Sequence, residues 1–222
     1  DEEWDSKEIE YLLVGDSFTH GACVNRPDDI ASSLRTLSNK SVLNLGYGGN
    51  GPLIEYATLK EYLNPKVKNI LWLYYEGNDL INLETNHNKK ILKNYLNDLS
   101  FNQNLQLKQS KIDDLSKDNM IELIREQELE IAVEEKKRTK QREIEIKSSN
   151  YLKFIKLDNL RSLILSQPQT IPQPKQEFKK ILQLTKELTN KNNSKLYFVY
   201  LPTYKRYKTT HNNTNYNLVK NI

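Results

Sequence analysis

Three short stretches carry residues that together could transfer an acyl group: Gly15-Asp16-Ser17, Gly46-Tyr47-Gly48-Gly49-Asn50-Gly51 and Gly77-Asn78-Asp79. Acyl transfer from an ester needs a nucleophile, a base, and donors already aimed at the oxygen that becomes negative. Ser17 offers the hydroxyl and, through its own backbone N–H, one donor. The glycine run holds four of the seven glycines in the chain, and a missing Cβ lets a backbone N–H approach a substrate oxygen closely. Asn78 offers a side-chain amide. Gly-Asp-Ser is also ordinary turn chemistry, and Asp or Ser commonly caps a helix. What decides between these readings is whether the three stretches meet in space.

The flanking elements bring them together. An apolar run from Ile9 to Val14 makes 8–15 a strand that delivers Ser17 to the C-terminal edge of a sheet, and a helix starting just after the turn would aim its N–H groups at the same spot. Residues 27–37 read as the first helix, with Pro27 near its N-terminus and Ile30, Ala31, Leu34 and Leu37 on one face. Residues 41–45 form a short second strand that runs into the glycines. A helix over 53–63 follows, ended by Asn64-Pro65. Residues 68–75 are a near-continuous apolar strand of the kind buried on both faces. Strands alternating with helices, each strand ending in a polar turn, predict an α/β fold with a parallel, doubly wound sheet, and the three turns then lie along one edge.

Beyond Leu80 the character changes. Residues 105–147 are rich in Glu, Lys, Arg and Gln, contain no proline or glycine, and carry only an irregular apolar stripe through Ile112, Leu115, Met120, Leu123, Ile124 and Ile131. They read as one or two long, mostly solvated helices. A further helix is expected over 151–165, a proline-containing connector over 167–174, and a helix over 176–189 with Phe178, Ile181, Leu182, Leu184 and Leu188 on one face. Residues 195–201 are the fourth strand, closed by Pro202, and a last helix begins near Asn213 or Asn215. At 222 residues the chain suits a single α/β domain over 1–222 with a charged helical insertion at about 100–165.

Composition narrows the partners. Lys and Arg number 33 against 29 Asp and Glu, a net charge of +4, and the basic residues of the middle region alternate with glutamates that would repel phosphate, so no nucleic-acid partner is expected. The single cysteine, Cys23, excludes an internal disulfide or a cysteine-rich zinc site and is expected to be a small buried side chain. Glu84-x-x-His87 lacks further ligands at suitable spacing, so no metal is expected. No Gly-x-Gly-x-x-Gly follows the first strand, which argues against a nucleotide-binding domain, and no cofactor is expected. No apolar run approaches the length of a membrane span, and no signal peptide opens the chain. The chain starts at Asp1 and stops at Ile222 soon after a strand, so both ends read as cut from something longer.

Gly15-Asp16-Ser17-Phe18-Thr19, Asn44-Leu45-Gly46-Tyr47-Gly48-Gly49 and Gly77-Asn78-Asp79 resemble, in content, order and spacing, the first three blocks of the SGNH, or GDSL-type, hydrolase family. The resemblance implies a three-layer α/β/α, flavodoxin-like sandwich that hydrolyses esters through an acyl-serine intermediate. Its substrate class would be a small-molecule or glycan ester, including acetyl groups on carbohydrates, and a periplasmic or other extracytoplasmic location is compatible. By position, the resemblance implies Ser17 as nucleophile, with the Gly49 N–H and the Asn78 side chain as oxyanion donors. Asp16 would brace the turn and Asn44 would hold the glycine loop.

The chain departs from the family in two places. Glu76 stands where the third block usually has Gly, and the closing Asp-x-x-His block is absent from the 222 residues, which implies a chain truncated before its base. Of the three histidines, His20 reads as a local contact near the first turn, His87 as an exposed loop residue, and His211 has no Asp three residues before it. Two alternatives remain: a carbohydrate O-acyltransferase using the same serine, and a non-catalytic binding module that keeps the crevice. No residue points to the substrate contacts.

Overall fold

The structure, a computed structural model, describes residues 4, 8–125, 176–207 and 214–222. The chain divides into two compact units, Asp1–Gln106 with Ile171–Ile222, and Leu107–Thr170. In the first unit, strands β1 (Ile9–Gly15), β2 (Val42–Asn44), β3 (Val67–Tyr75) and β4 (Lys195–Leu201) form one sheet in the order β2-β1-β3-β4. All pairings are parallel: Leu13 sits between Asn44 and Leu71, Gly15 is opposite Leu73, and Tyr75 is opposite Leu201. The helices are α1 (Ser17–His20), α2 (Ile30–Ser38), α3 (Pro52–Tyr62), α4 (Asp79–Asn86), α5 (Lys90–Asn97), α6 (109–125, in the second unit), α7 (Gln176–Lys191) and α8 (Thr214–Lys220).

Side-chain alternation along the strands makes two cores. Leu12 and Val14 of β1 and Ile70, Trp72 and Tyr74 of β3 pack with Leu53, Tyr56 and Leu59 of α3, Leu80 and Leu83 of α4, and Phe178 and Ile181 of α7. The intervening residues, Leu13 and Leu73, pack on the opposite face with Val42 of β2 and Ala31 of α2. This is a mixed α/β architecture whose all-parallel sheet is flanked by helices on both faces, in agreement with the expected three-layer, flavodoxin-like class. The chain steps from β1 to β2 on one side and then crosses to β3 on the other, and that reversal is a switch point of the kind at which open α/β sheets bind ligands, at the C-terminal ends of β1 and β3. Ser17 follows β1 and Asn78 follows β3.

Several boundaries differ from the sequence reading for identifiable reasons. α2 begins at Ile30 because the Asp29 carboxylate accepts from Ser32 N (2.9 Å) and Ser32 Oγ (2.6 Å) and so caps it. Pro27 lies in the preceding turn. Cys23, in the same surface segment, is exposed and not buried. α4 and α5 fall where composition alone suggested only a change of character; α5 buries Leu92, Tyr95 and Leu96, an i, i+3, i+4 stripe.

In the second unit, residues 109–125 are helical and largely exposed, including Leu115, Met120, Leu123 and Ile124. The remainder of the charged insertion, the helix at 151–165, the connector at 167–174 and His211 lie outside the described residues. Among the described residues, no helix is long and apolar enough to cross a membrane.

Candidate active site

The first turn is built by close packing. A Cβ on Gly15 would lie 2.1 Å from Thr19 Oγ1 and 2.7 Å from Leu73 O, so only glycine lets the end of β1 press against both β3 and α1. Asp16, fully buried, follows and caps α1: its Oδ1 accepts from Phe18 N at 2.9 Å, and its Oδ2 accepts from Ser17 Oγ at 3.5 Å. The bracing role expected for Asp16 is therefore a helix-capping role. Ser17 is half-buried. A helix does start just after the turn, as expected, but it is a single turn of four residues ended by Gly21 at φ 80°.

The glycine loop is clamped to that turn by Asn44, the last residue of β2. Asn44 Nδ2 donates to Thr19 O (2.7 Å), and Asn44 Oδ1 accepts from Gly46 N (2.9 Å). A Cβ on Gly46 would fall 2.6 Å from Thr19 Cβ, so the loop passes α1 with no room for a side chain. Tyr47 N donates to Gly15 O (3.2 Å), and Asn50 N donates to Tyr47 O (3.2 Å), closing a turn with Gly49 at φ 81°. That positive φ is what the third position of a type II turn requires. The loop is also tied to α4, where Asn82 Nδ2 donates to Asn50 O at 3.0 Å.

Within this loop the glycine nearest Ser17 is Gly48: an ideal Cβ there would be 3.8 Å from Ser17 Cβ. Gly49, the donor named from sequence, is the exposed tip, with no neighbouring atom within 4 Å of an ideal Cβ. Among the described residues, the backbone N–H groups of Ser17, Gly48 and Gly49 donate to no other group.

At the third turn, Asn78 sits at the N-cap position of α4 but makes no capping bond, and its Oδ1 is buried without a partner. Asp79, fully buried, fastens α4 to the end of β3 by accepting from Tyr75 N at 2.7 Å. Glu76 has an evident partner. Its carboxylate, 3% exposed, accepts from Thr203 N (3.0 Å), Arg206 Nε (3.0 Å) and Arg206 Nη2. Burial pushes this carboxyl up, but the Arg206 guanidinium and the Thr203 N–H outweigh it and hold Glu76 below the usual carboxylate range. The guanidinium in turn lies 4.9 Å over the Tyr216 ring. The departure from the family pattern at Glu76 is thus matched by an arginine 130 residues away, a partnership without any local sequence signal.

Aromatic rings flank the serine. Phe18 packs on Tyr75 with centroids 4.2 Å apart, and His20 stacks on Tyr47 at 5.4 Å. Phe18 and Tyr47 are exposed. His20, expected to make a local polar contact, instead stacks on a ring from the glycine loop; His87, expected in an exposed loop, is the half-buried C-cap of α4, with its Nδ1 buried and unpartnered among the described residues. Among the described residues, the hydrogen-bond partner of Ser17 Oγ is Asp16, and no imidazole bonds to it.

A second residue that sequence reasoning passed over is Glu55 of α3, fully buried, whose Oε2 accepts from Trp72 Nε1 at 2.5 Å. Its signal was available, since it lies one turn before Leu59 on a helix that buries Leu53, Tyr56 and Ala57 as well. Among the described residues, no group of three or more His, Cys, Asp or Glu is placed to hold a metal ion.

No family model, curated protein or solved structure matches the chain. The class of site is therefore defined by its own geometry: a half-buried serine at a strand end, a clamped glycine loop beside it, and an unpartnered amide at the adjoining strand end.

Proposed function

We propose that the chain is an ester-hydrolysing domain of the SGNH type. The carrying observation is the placement at one sheet edge of Ser17, the Gly48-Gly49 loop beside it and an Asn78 side chain with no partner among the described residues. In this reading, Ser17 Oγ attacks the ester carbonyl carbon while its proton passes to a base. The resulting oxyanion is received by the N–H groups of Ser17 and the glycine loop and by Asn78 Nδ2. Collapse expels the alcohol and leaves an acyl-serine that water then cleaves. Each such donor is worth about 3 kcal/mol in the transition state, and the N–H groups of Ser17, Gly48 and Gly49 are unsatisfied among the described residues.

Among the described residues no imidazole bonds Ser17 Oγ. The 222 residues contain no Asp-x-x-His, and the family resemblance puts that block after a further strand. Covalent labelling of the full-length gene product with a fluorophosphonate, read by mass spectrometry, tests the reading together with turnover of an acetyl ester. Labelling at Ser17, and loss of both signals in Ser17→Ala, are expected. Equal ester turnover by Ser17→Ala and wild type would falsify it. Sugar acceptors added to the same assay separate hydrolysis from acyl transfer through the same serine.

A second reading, a binding module that keeps the crevice without catalysis, is favoured by one observation: among the described residues, Ser17 has a carboxylate and no imidazole as its partner. A full-length protein that binds an ester analogue but is never labelled would establish it.

A further inference from the structure

Three carboxyl side chains, all at 0% exposure, lie at or behind this edge: Asp16 after β1, Glu55 on α3 and Asp79 at the start of α4. Their hydrogen bonds leave two oxygens over. Asp16 uses Oδ1 for Phe18 N and Oδ2 for the Ser17 hydroxyl. Glu55 Oε2 takes the Trp72 indole N–H, and its Oε1 has no partner. Asp79 Oδ2 takes Tyr75 N, and its Oδ1 has none. A buried carboxylate oxygen without a donor is costly, and two of them in like-charged groups that feel each other are costlier still.

The surroundings supply no compensating cation among the described residues. Glu55 faces Trp72 of β3, Asp16 and Asp79; Asp79 faces Glu55, Asp16 and the end of β3. Tyr74 of β3 feels the charge of both. From other elements packed on α3, Glu187 of α7 acts on Tyr56, and Asp98, just after α5, acts on Lys60. Arg206 is engaged by Glu76. The charged groups that face the pair are all anions, the two N–H groups are already used, and the Tyr74 hydroxyl bonds neither free oxygen, so a proton on one of the carboxyls would supply the missing donor.

We propose that Glu55 and Asp79 hold one proton between them at neutral pH, with Glu55 as the neutral acid, and that this link positions the turn bearing Asn78. Burial above all raises Glu55, against the Trp72 N–H and with the Asp16 charge; burial, then Glu55 and Asp16, raises Asp79, against the Tyr75 N–H. Like charges that close cannot both ionise cheaply, so the pair titrates as a unit. The existence of the proton is independent of what Ser17 does. Its consequence for turnover rests on the esterase reading.

The sign of the linkage follows. Because the folded protein holds this proton more tightly than the unfolded chain, the contribution is fully present below the ordinary value of 4.5. It is lost as pH rises towards and through about 8. Glu55→Gln is the discriminating variant, since glutamine keeps an acceptor for Trp72, places an N–H donor where the acid O–H would be, and cannot ionise.

Denaturant melts of wild type and Glu55→Gln from pH 5 to pH 9 are expected to coincide at the acid end. They then diverge, the wild type declining more steeply by about one proton per molecule. The infrared carbonyl band of a protonated carboxylic acid should be present at pH 7 in wild type and absent in Glu55→Gln. Parallel pH slopes, or no such band in wild type, overturn the proposal. Should Glu55→Gln fail to fold, the wild-type band at pH 7 and its disappearance with the alkaline loss of stability decide alone. For the positioning role, Glu55→Ala should lower kcat while Glu55→Gln restores it; failure of this arm with the band present overturns only the link to the Asn78 turn.

Discussion

Removing the guanidinium of Arg206 strands a buried charge, and the size of the penalty can be worked from the surroundings of Glu76. In Arg206→Ala the Glu76 carboxylate keeps the Thr203 N–H but loses both contacts from Arg206. Removing one member of a buried pair costs about 3–5 kcal/mol. Arg206 is 14% exposed against 3% for Glu76, so water partly reaches the gap and the lower end, about 3 kcal/mol, is the better figure. Loss of the stack on Tyr216 adds about 0.5–1 kcal/mol. Because Glu76 is held below its ordinary value, the pair contributes stability above the unfolded pKa and loses it as pH falls through the folded one. Urea unfolding of wild type, Arg206→Ala, Glu76→Gln and the double variant at pH 7 and pH 4 is the assay. Arg206→Ala should be the least stable at pH 7, the double variant should recover part of the loss, and the gap between wild type and Arg206→Ala should narrow at pH 4. A loss below about 0.5 kcal/mol at pH 7, or a double variant no better than Arg206→Ala, refutes the reasoning.

Two further predictions separate chemistry from architecture at the same edge. Asn78→Ala should reduce ester turnover by about a hundredfold to a thousandfold yet change unfolding stability by no more than about 0.5 kcal/mol, since its side chain makes no capping bond. A large stability loss with unchanged kcat would assign it a structural role instead. Gly46→Ala and Gly49→Ala should differ in kind. The first places a methyl 2.6 Å from Thr19 and should cost about 1–3 kcal/mol by overpacking, displacing the loop. The second meets no atom and bears only the strain of φ 81°, about 1 kcal/mol. Thermal melts of the pair test this, and the opposite order would refute it.

What the sequence made legible is what local pattern encodes. β3 reads from its apolar run, β4 from seven residues bounded by Pro202, and the meeting of Ser17, the glycine loop and Asn78 from the rule that parallel strands share a C-terminal edge. The less legible features are those settled by a partner distant in the chain or by packing around a whole helix. α3 buries residues over most of its circumference, Glu61 among them, so it has no single apolar stripe to show which of its charged residues are buried. Glu61 is consumed by Tyr95 Oη, Gln103 N and Leu105 N. Glu76 read as a deviation because Arg206 is remote in sequence. Gly48 and Gly49 are indistinguishable as letters, and only the turn, closed by Asn50 N on Tyr47 O, sends one towards Ser17 and the other to the tip. The common cause is that polar residues in this fold are spent in pairs across elements, Glu76 with Arg206, Asn44 with Thr19 and Gly46, Glu55 with Trp72. Some polar groups stay outside that pattern, Thr19 Oγ1, Asp79 Oδ1 and the Asn78 side chain among them, with no partner among the described residues. In the proposed reading a substrate oxygen would accept from Asn78 Nδ2, and this is why the Asn78 variant bears most directly on function.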